Sequence, residues 1–314
     1  MRFKSPKIIV LISFLIGFLV FSCKNESKIE TLSEVAYTNT ANKTNGKPVS
    51  EAFKDYWYNS TAEVTSYALE QARYGEMRGG NAVLIFVTEP FEASKQVKAD
   101  KHKKDNIPVL KLNQTKSFLT GIYPYSIMSS TFYPVADNSH ALKITNSVQE
   151  WCGQVYAQLN NKKSFEVSSF SYFESEGDQK IALEKNILEN ELWSKIRINP
   201  TELPVGDILV IPAIEYIRLS HKKLKAYKAV TTLSKENDTS IYTLNYPELD
   251  RTLSITFTTK FPHTIENWTE SYKSGFGKSA KILTTKATKI KRLQTAYWYQ
   301  NSNKYSSLRD TLGL

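Results

Sequence analysis

Residues 62–88 read AEVTSYALEQARYGEMRGGNAVLIFVT, and this stretch decides the fold class. Residues 62–77 read as one strand and residues 81–88 as its partner. Gly79-Gly80 between them supply the positive φ that a tight turn needs. Upstream, Ser50 is placed to cap a short helix that carries Phe53 and Trp57 on one face, four residues apart. Downstream, residues 92–106 form a lysine-rich loop without periodicity. Strands resume at 108–120, 125–135, 141–150 and 153–159, with Asn160-Asn161 turning into 164–174. Pro90, Pro108, Pro124 and Pro134 fall near strand ends, where a missing amide hydrogen does least harm.

One helix interrupts the pattern. From Leu183 to Ile196, the residues Ile187, Leu188, Leu192, Trp193 and Ile196 recur at helical spacing with acids between them, and Pro200 and Pro204 close the segment. Strands return at 207–219, 226–234, 240–246, 252–259 and 280–298, and Ser306 to Leu314 make a short terminal helix. Long strands at short, regular spacing argue against alternating βαβ units. The expected fold is mainly β. It is a large antiparallel sheet curled into an open or half barrel, with one central helix and short terminal helices. Two β subdomains meeting near residue 200 are a second form of the same expectation.

The N-terminus gives an address. Arg2, Lys4 and Lys7 precede an uncharged stretch from Ile8 to Phe21. That stretch is too short to span a bilayer, which takes roughly 20 residues, and it fits the apolar core of a secretory signal. It ends Val20-Phe21-Ser22-Cys23, which resembles the lipobox of bacterial lipoproteins, where a small residue precedes the lipidated cysteine. The commoner box has Leu at the third position before the cysteine and Gly or Ala just before it. The expectation is a signal peptide at 1–22 and thioether lipidation of Cys23, with each buried methylene adding about 0.8 kcal/mol of anchoring. Residues 23–47, rich in Lys, Asn, Glu, Ser and Thr, have the composition of a tether. Residues 48–314 form the β-rich domain. Lys24, in place of an aspartate retention signal, favours the outer membrane.

The chain's formal charge is +10, and losing the three cations of the signal leaves 10 − 3 = +7. A basic envelope protein is drawn to anionic lipid or acidic polysaccharide, and nucleic acid is a poor partner for an exported chain. After Cys23 only Cys152 remains, so no intramolecular disulfide is available. Stability must come from a core, which 5 Trp, 18 Tyr and 15 Phe supply.

Chemistry-bearing constellations are sparse. Cys152, in Gln149-Glu-Trp-Cys-Gly-Gln154, is a candidate nucleophile with His140 as its base; a small buried residue beside Trp151 is the commoner role for a free cysteine. The histidines 102, 140, 221 and 263 lack ligand spacing, so no metal site and no cofactor is expected. Glu174, Glu176 and Asp178 surround Gly177 without the EF-hand pattern and read as a solvated hairpin tip. Lys278, Lys281, Lys286, Lys289, Lys291 and Arg292 run along the last strand. They read either as an anionic-ligand face or, more commonly, as a charged sheet edge that blocks aggregation. The clusters around Trp57 and Trp298 have the aromatic character of a sugar-stacking surface, although such residues in strands are more often half core. Trp57, Trp298, Lys286 and Lys289 are thus the candidate binding residues.

The blocks Phe53-Lys-Asp-Tyr-Trp-Tyr58, Ser147-Val-Gln-Glu-Trp-Cys-Gly153, Glu191-Leu-Trp193, Asn245-Tyr-Pro-Glu-Leu-Asp-Arg-Thr-Leu253 and Ala296-Tyr-Trp298 resemble a group of Gram-negative lipoproteins. These often carry the label septum formation inhibitor Maf. Maf proteins proper are cytoplasmic nucleotide pyrophosphatases of an α/β fold with an early Ser-Pro-Arg-Arg turn; here Ser5-Pro6 is followed by Lys7. The resemblance brings no functional residue with it. Taken together, the sequence points to a lipid-anchored envelope lipoprotein with a non-enzymatic binding or structural role, whose ligand is hydrophobic, saccharide or protein. The alternatives are an envelope hydrolase using Cys152 and a Maf-type pyrophosphatase.

Overall fold

The computed structural model describes residues 49–136 and 138–314; the signal, the lipidation site and the tether lie outside these. Helix α1 (Glu51–Trp57) opens the fold, with Ser50 Oγ accepting from the Phe53 amide at 3.1 Å. The strands follow as β1 (Ala62–Arg73), β2 (Glu76–Glu92), β3 (Val97–Lys98), β4 (Ile107–Thr120), β5 (Tyr123–Pro134), β6 (Lys143–Glu150), β7 (Gly153–Asn161), β8 (Phe165–Ser171), β9 (Gln179–Leu183) and β10 (Ile187–Leu188). Helix α2 (Glu189–Ile198) comes next, then β11 (Gly206–Ile211) and helix α3 (Ile214–Ser220). The chain ends with β12 (Tyr227–Glu236), β13 (Thr239–Tyr246), β14 (Arg251–Thr258), β15 (Ile265–Ser274), β16 (Lys281–Thr295) and helix α4 (Leu308–Leu312).

All 16 strands join one sheet, in the order β10-β11-β12-β13-β14-β15-β16-β1-β2-β4-β5-β6-β7-β8-β9, with β3 attached to β2. Strands from before and after residue 200 therefore belong to the same ladder, joined through the antiparallel β16–β1 pair. Every pairing is antiparallel except the two-residue β10–β11 contact. Alternation builds the two faces: along β14, Leu253, Ile255 and Phe257 are buried while Thr252, Ser254, Thr256 and Thr258 face outward.

The sheet curls because it wraps the helices. From α2, Arg197 reaches Glu63 on β1, Glu189 reaches Arg251 on β14, and Trp193 meets Trp268 on β15 edge-to-face at 5.3 Å. On the opposite side Glu191 accepts from the Ala141 amide at 2.8 Å, just before β6. Buried apolar side chains such as Leu192 and Ile196 each contribute about 1.5–3 kcal/mol. The sheet does not close into a barrel, since β9 and β10 are not hydrogen-bonded to each other. Side chains close the gap instead: Ile144, Leu159, Phe165 and Val167 from one end of the ladder pack with Leu188, Ile211 and Ile214 from the other.

Several sequence expectations are corrected. The first hairpin turns at Tyr74-Gly75, both at positive φ, and Gly79-Gly80 lie within β2. Gly80 is there for space, because a Cβ would sit 2.1 Å from the Ser117 carbonyl oxygen of β4. The expected strand 207–219 ends at Ile211, and α3 takes its second half. Helix α2 starts at Glu189 rather than Leu183, and it is buried from Glu189 through Arg197. Tyr297-Trp298-Tyr299 form a 3₁₀ turn after β16 rather than its last residues. Finally, β16 lies in the middle of the ladder, so its lysines do not protect a sheet edge.

Candidate functional site

The interior is filled by α2, α3 and their partners, and most of its charges are paired; Arg73 on β1 instead donates to the Leu219 carbonyl at 2.6 Å and the Tyr125 hydroxyl at 3.1 Å. Arg251 forms a bidentate pair with Glu189, at 2.5 and 2.6 Å, and holds Glu270 at 2.7 Å. Burial works against the Arg251 cation, but the two carboxylates outweigh it and raise its pKa well above the ordinary value. Lys116 on β4 pairs with Glu215 on α3 at 2.7 Å. Such pairs tie the helices to the surrounding strands.

The sequence candidates fall in separate places. Trp57 is buried, packed on Phe86 with the Arg197 guanidinium 4.9 Å from its ring, so it belongs to the core. Trp298 is 38 % exposed between Tyr297 and Tyr299. Lys286 is exposed, opposite Thr269 and Glu70 on the outer face, whereas Lys289 is held by Glu266. His140 Nδ1 lies 3.1 Å from Glu191 in the loop before β6. Cys152 lies in the turn after β6. The length of β6, about 25 Å, separates the two, so the structure does not bring Cys152 and His140 together. Cys152 is exposed rather than packed in the core. Its amide donates to Glu150 at 2.7 Å, and hydrogen bonding and charge from Glu150 raise the thiol's pKa above the ordinary value. A suppressed thiolate is a poor nucleophile. In the 172–178 turn, Glu176 is engaged by Arg218 at 2.9 Å and His221 at 3.1 Å, and Asp178 accepts from the Ser171 amide.

A different constellation emerges on the outer face of β6–β8. Along β7, Val155, Ala157 and Leu159 point into the core, so Tyr156 points outward. Register places Ser147, Tyr156 and Phe170 in one cross-strand row. Gln149 and Gln154 are opposed in the next row, and the Tyr172 amide donates to the Gln154 carbonyl at 3.4 Å. Gly153 lies beneath the Tyr172 ring, where a Cβ would come within 2.8 Å of the Tyr172 ring atom Cδ1. The result is a groove of about 600 Å³, lined by Trp151, Tyr156, Phe170 and Tyr172 with the amides of Gln149 and Gln154 and the Asp178 carboxylate. Its rings are accessible: Tyr172 is 78 %, Trp151 69 % and Phe170 51 % exposed.

This volume lies within the roughly 300–1,000 Å³ of small-ligand sites. Exposed ring faces beside amides, hydroxyls and a carboxylate suit a ligand with flat C–H faces and many hydroxyls. No family model, curated protein or solved structure matches the chain. Among the described residues no helix is long and apolar enough to cross a membrane, and no group of three or more His, Cys, Asp and Glu is arranged to hold a metal ion. Sequence reading missed Tyr156, Phe170 and Tyr172. The available signal was the phase of β7, which puts an aromatic ring on the polar side of the alternation.

Proposed function

We propose that the protein is a lipid-anchored lipoprotein of the bacterial cell envelope that binds a saccharide on the outer face of β6–β8 without turning it over. The observation that carries this reading is the aromatic groove, with Tyr156 and Phe170 in cross-strand register and Tyr172 seated over Gly153. The sequence from Arg2 to Cys23 supports the anchor. A lumen filled by helices favours a saccharide on the outer face over a lipid carried inside. The distance from Cys152 to His140 and the raised thiol pKa speak against hydrolysis at this site. A Maf-type pyrophosphatase calls for an α/β fold, and this sheet is antiparallel apart from one short pair.

The test is a fluorescence titration of the full chain with oligosaccharides prepared from peptidoglycan and from lipopolysaccharide core, with the ligand's mass measured before and after incubation. Saturable quenching is expected, with the ligand recovered intact. Loss of one stacked ring in Tyr156→Ala or Tyr172→Ala is expected to weaken binding roughly five-fold, from about 1 kcal/mol per aromatic contact. No saturable response from the unaltered chain, equal affinity in the variants, or a cleaved ligand would each overturn the proposal.

A further inference from the structure

Antiparallel order brings the Tyr74-Gly75 turn, the Gly121-Ile122 turn, the Trp151-Cys152 turn and residues 275–280 to one end of the sheet. That end carries an unusual surface. The three most exposed large apolar or aromatic side chains of the described residues, Ile122 at 83 %, Tyr172 and Trp151, all sit on its turns, together with Phe276 at 61 %. A chain of ring contacts follows the rim: Phe276 to Tyr74 at 6.0 Å, Tyr74 to Tyr125 at 6.4 Å, Tyr125 to Tyr123 at 6.0 Å and Tyr123 to Trp151 at 6.5 Å. Lys273, Lys278 and Lys281 flank Phe276, and none of the three pairs with a carboxylate among the described residues. The sequence has no Asp or Glu between Glu270 and Asp310. Of the acids in the 172–178 turn, Glu176 comes nearest: it is tied to Arg218 and His221, and the His221 ring lies 6.3 Å from Phe276.

We infer that this rim docks on an anionic lipid bilayer, with Ile122 and Phe276 entering the interfacial layer and Lys273, Lys278 and Lys281 meeting lipid phosphates. Tryptophan and tyrosine favour the membrane–water interface, and each cation near an anionic surface adds attraction. A soluble acidic polymer would use the lysines but would leave Ile122 and Phe276 in water; a bilayer accounts for both. The geometry also tolerates an anchor at the other end of the domain. β1 spans about 40 Å, whereas the chain between Cys23 and Lys47, fully extended, reaches about 80 Å. The rim shares Trp151 and Tyr172 with the saccharide groove, but the inference rests on Ile122, Phe276 and the three lysines, none of which lines that groove.

The experiment places a polarity-sensitive fluorophore at Ile122→Cys, Phe276→Cys or, as a control at the opposite end, Asn237→Cys. Each is made in the full chain carrying Cys152→Ser and reconstituted in vesicles of phosphatidylethanolamine and phosphatidylglycerol. Quenching by lipid-borne spin labels is expected to be at least three-fold stronger at 122 and 276 than at 237. It should fall to the control level when Lys273→Glu, Lys278→Glu and Lys281→Glu are combined, or when phosphatidylcholine replaces the anionic lipid. Quenching at 122 and 276 no stronger than at 237 overturns the inference, as does quenching that ignores both lipid charge and the lysine substitutions.

Discussion

Replacing Arg197 by methionine tests the idea that ion pairs inside the sheet hold α2 in place. Arg197 Nη1 and Nη2 donate to the two Glu63 oxygens at 2.6 and 2.7 Å, Nε donates to the Pro262 carbonyl at 2.9 Å, and both side chains are 1 % exposed. Arg197→Met leaves the Glu63 carboxylate buried with only the Tyr56 and Thr65 hydroxyls and a distant Arg292, 3.9 Å away. Breaking one side of such a pair costs about 3–5 kcal/mol, whereas removing both charges is often close to neutral. Arg197→Met is therefore expected to lose about 4 kcal/mol in urea unfolding, and Glu63→Leu/Arg197→Met to lose less than about 2 kcal/mol. The pH dependence adds a second readout. Burial pushes the Glu63 pKa up, but Arg197, Tyr56 and Arg292 together hold it below the ordinary 4.5. A depressed carboxylate contributes stability above its unfolded pKa and loses it as pH falls toward the folded one. The parent chain should thus weaken as pH drops below about 4.5, and the double variant should weaken less steeply. A double variant as unstable as Arg197→Met alone, or an unchanged acid limb, would refute the reasoning.

The glycines of β2 make a paired prediction. Gly80→Ala drives a Cβ to 2.1 Å from the Ser117 carbonyl, while at Gly79 nothing lies within 4 Å. The first should cost at least about 1–3 kcal/mol by overpacking and lower Tm by roughly 2–4 °C for each kcal/mol, with the second near neutral; equal melting temperatures would contradict this. Glu150→Gln should lower the pKa of the Cys152 thiol and speed its alkylation by iodoacetamide at pH 8, so an unshifted rate–pH profile would disprove the role of that carboxylate. Labelled palmitate should enter the protein and fail to enter Cys23→Ala; label in both, or in neither, would remove the proposed anchor.

Much of the sheet was legible because its strands alternate cleanly. β14, with Leu253, Ile255 and Phe257 inside and Thr252, Ser254 and Thr256 outside, needs no knowledge of its neighbours. The first turn was misplaced because two adjacent glycines carry a strong turn signal, whereas here Gly80 serves the close approach of β4. Helix α3 was hidden because Ile214, Tyr216, Ile217 and Leu219 are all buried, so neither a helical nor a strand period stands out. The sequence shows acids between the apolar residues of α2 but not their burial, because the partners of its charges, Glu63, Arg251 and Ala141, lie on distant segments. The groove was illegible for a related reason. Tyr156 and Phe170 become neighbours only through the β7–β8 register, and Tyr172 finds its place over Gly153 only once the turn is built.

Saccharide recognition by the outer face of β6–β8 is tested most directly by aromatic ¹³C NMR of the full chain during titration with a peptidoglycan-derived oligosaccharide. The ring signals of Trp151, Tyr156, Phe170 and Tyr172 should shift together along one saturable curve, while those of the buried Trp57 and Trp268 stay fixed. Ring signals that do not move up to millimolar ligand, or shifts confined to Tyr297, Trp298 and Tyr299, would contradict it.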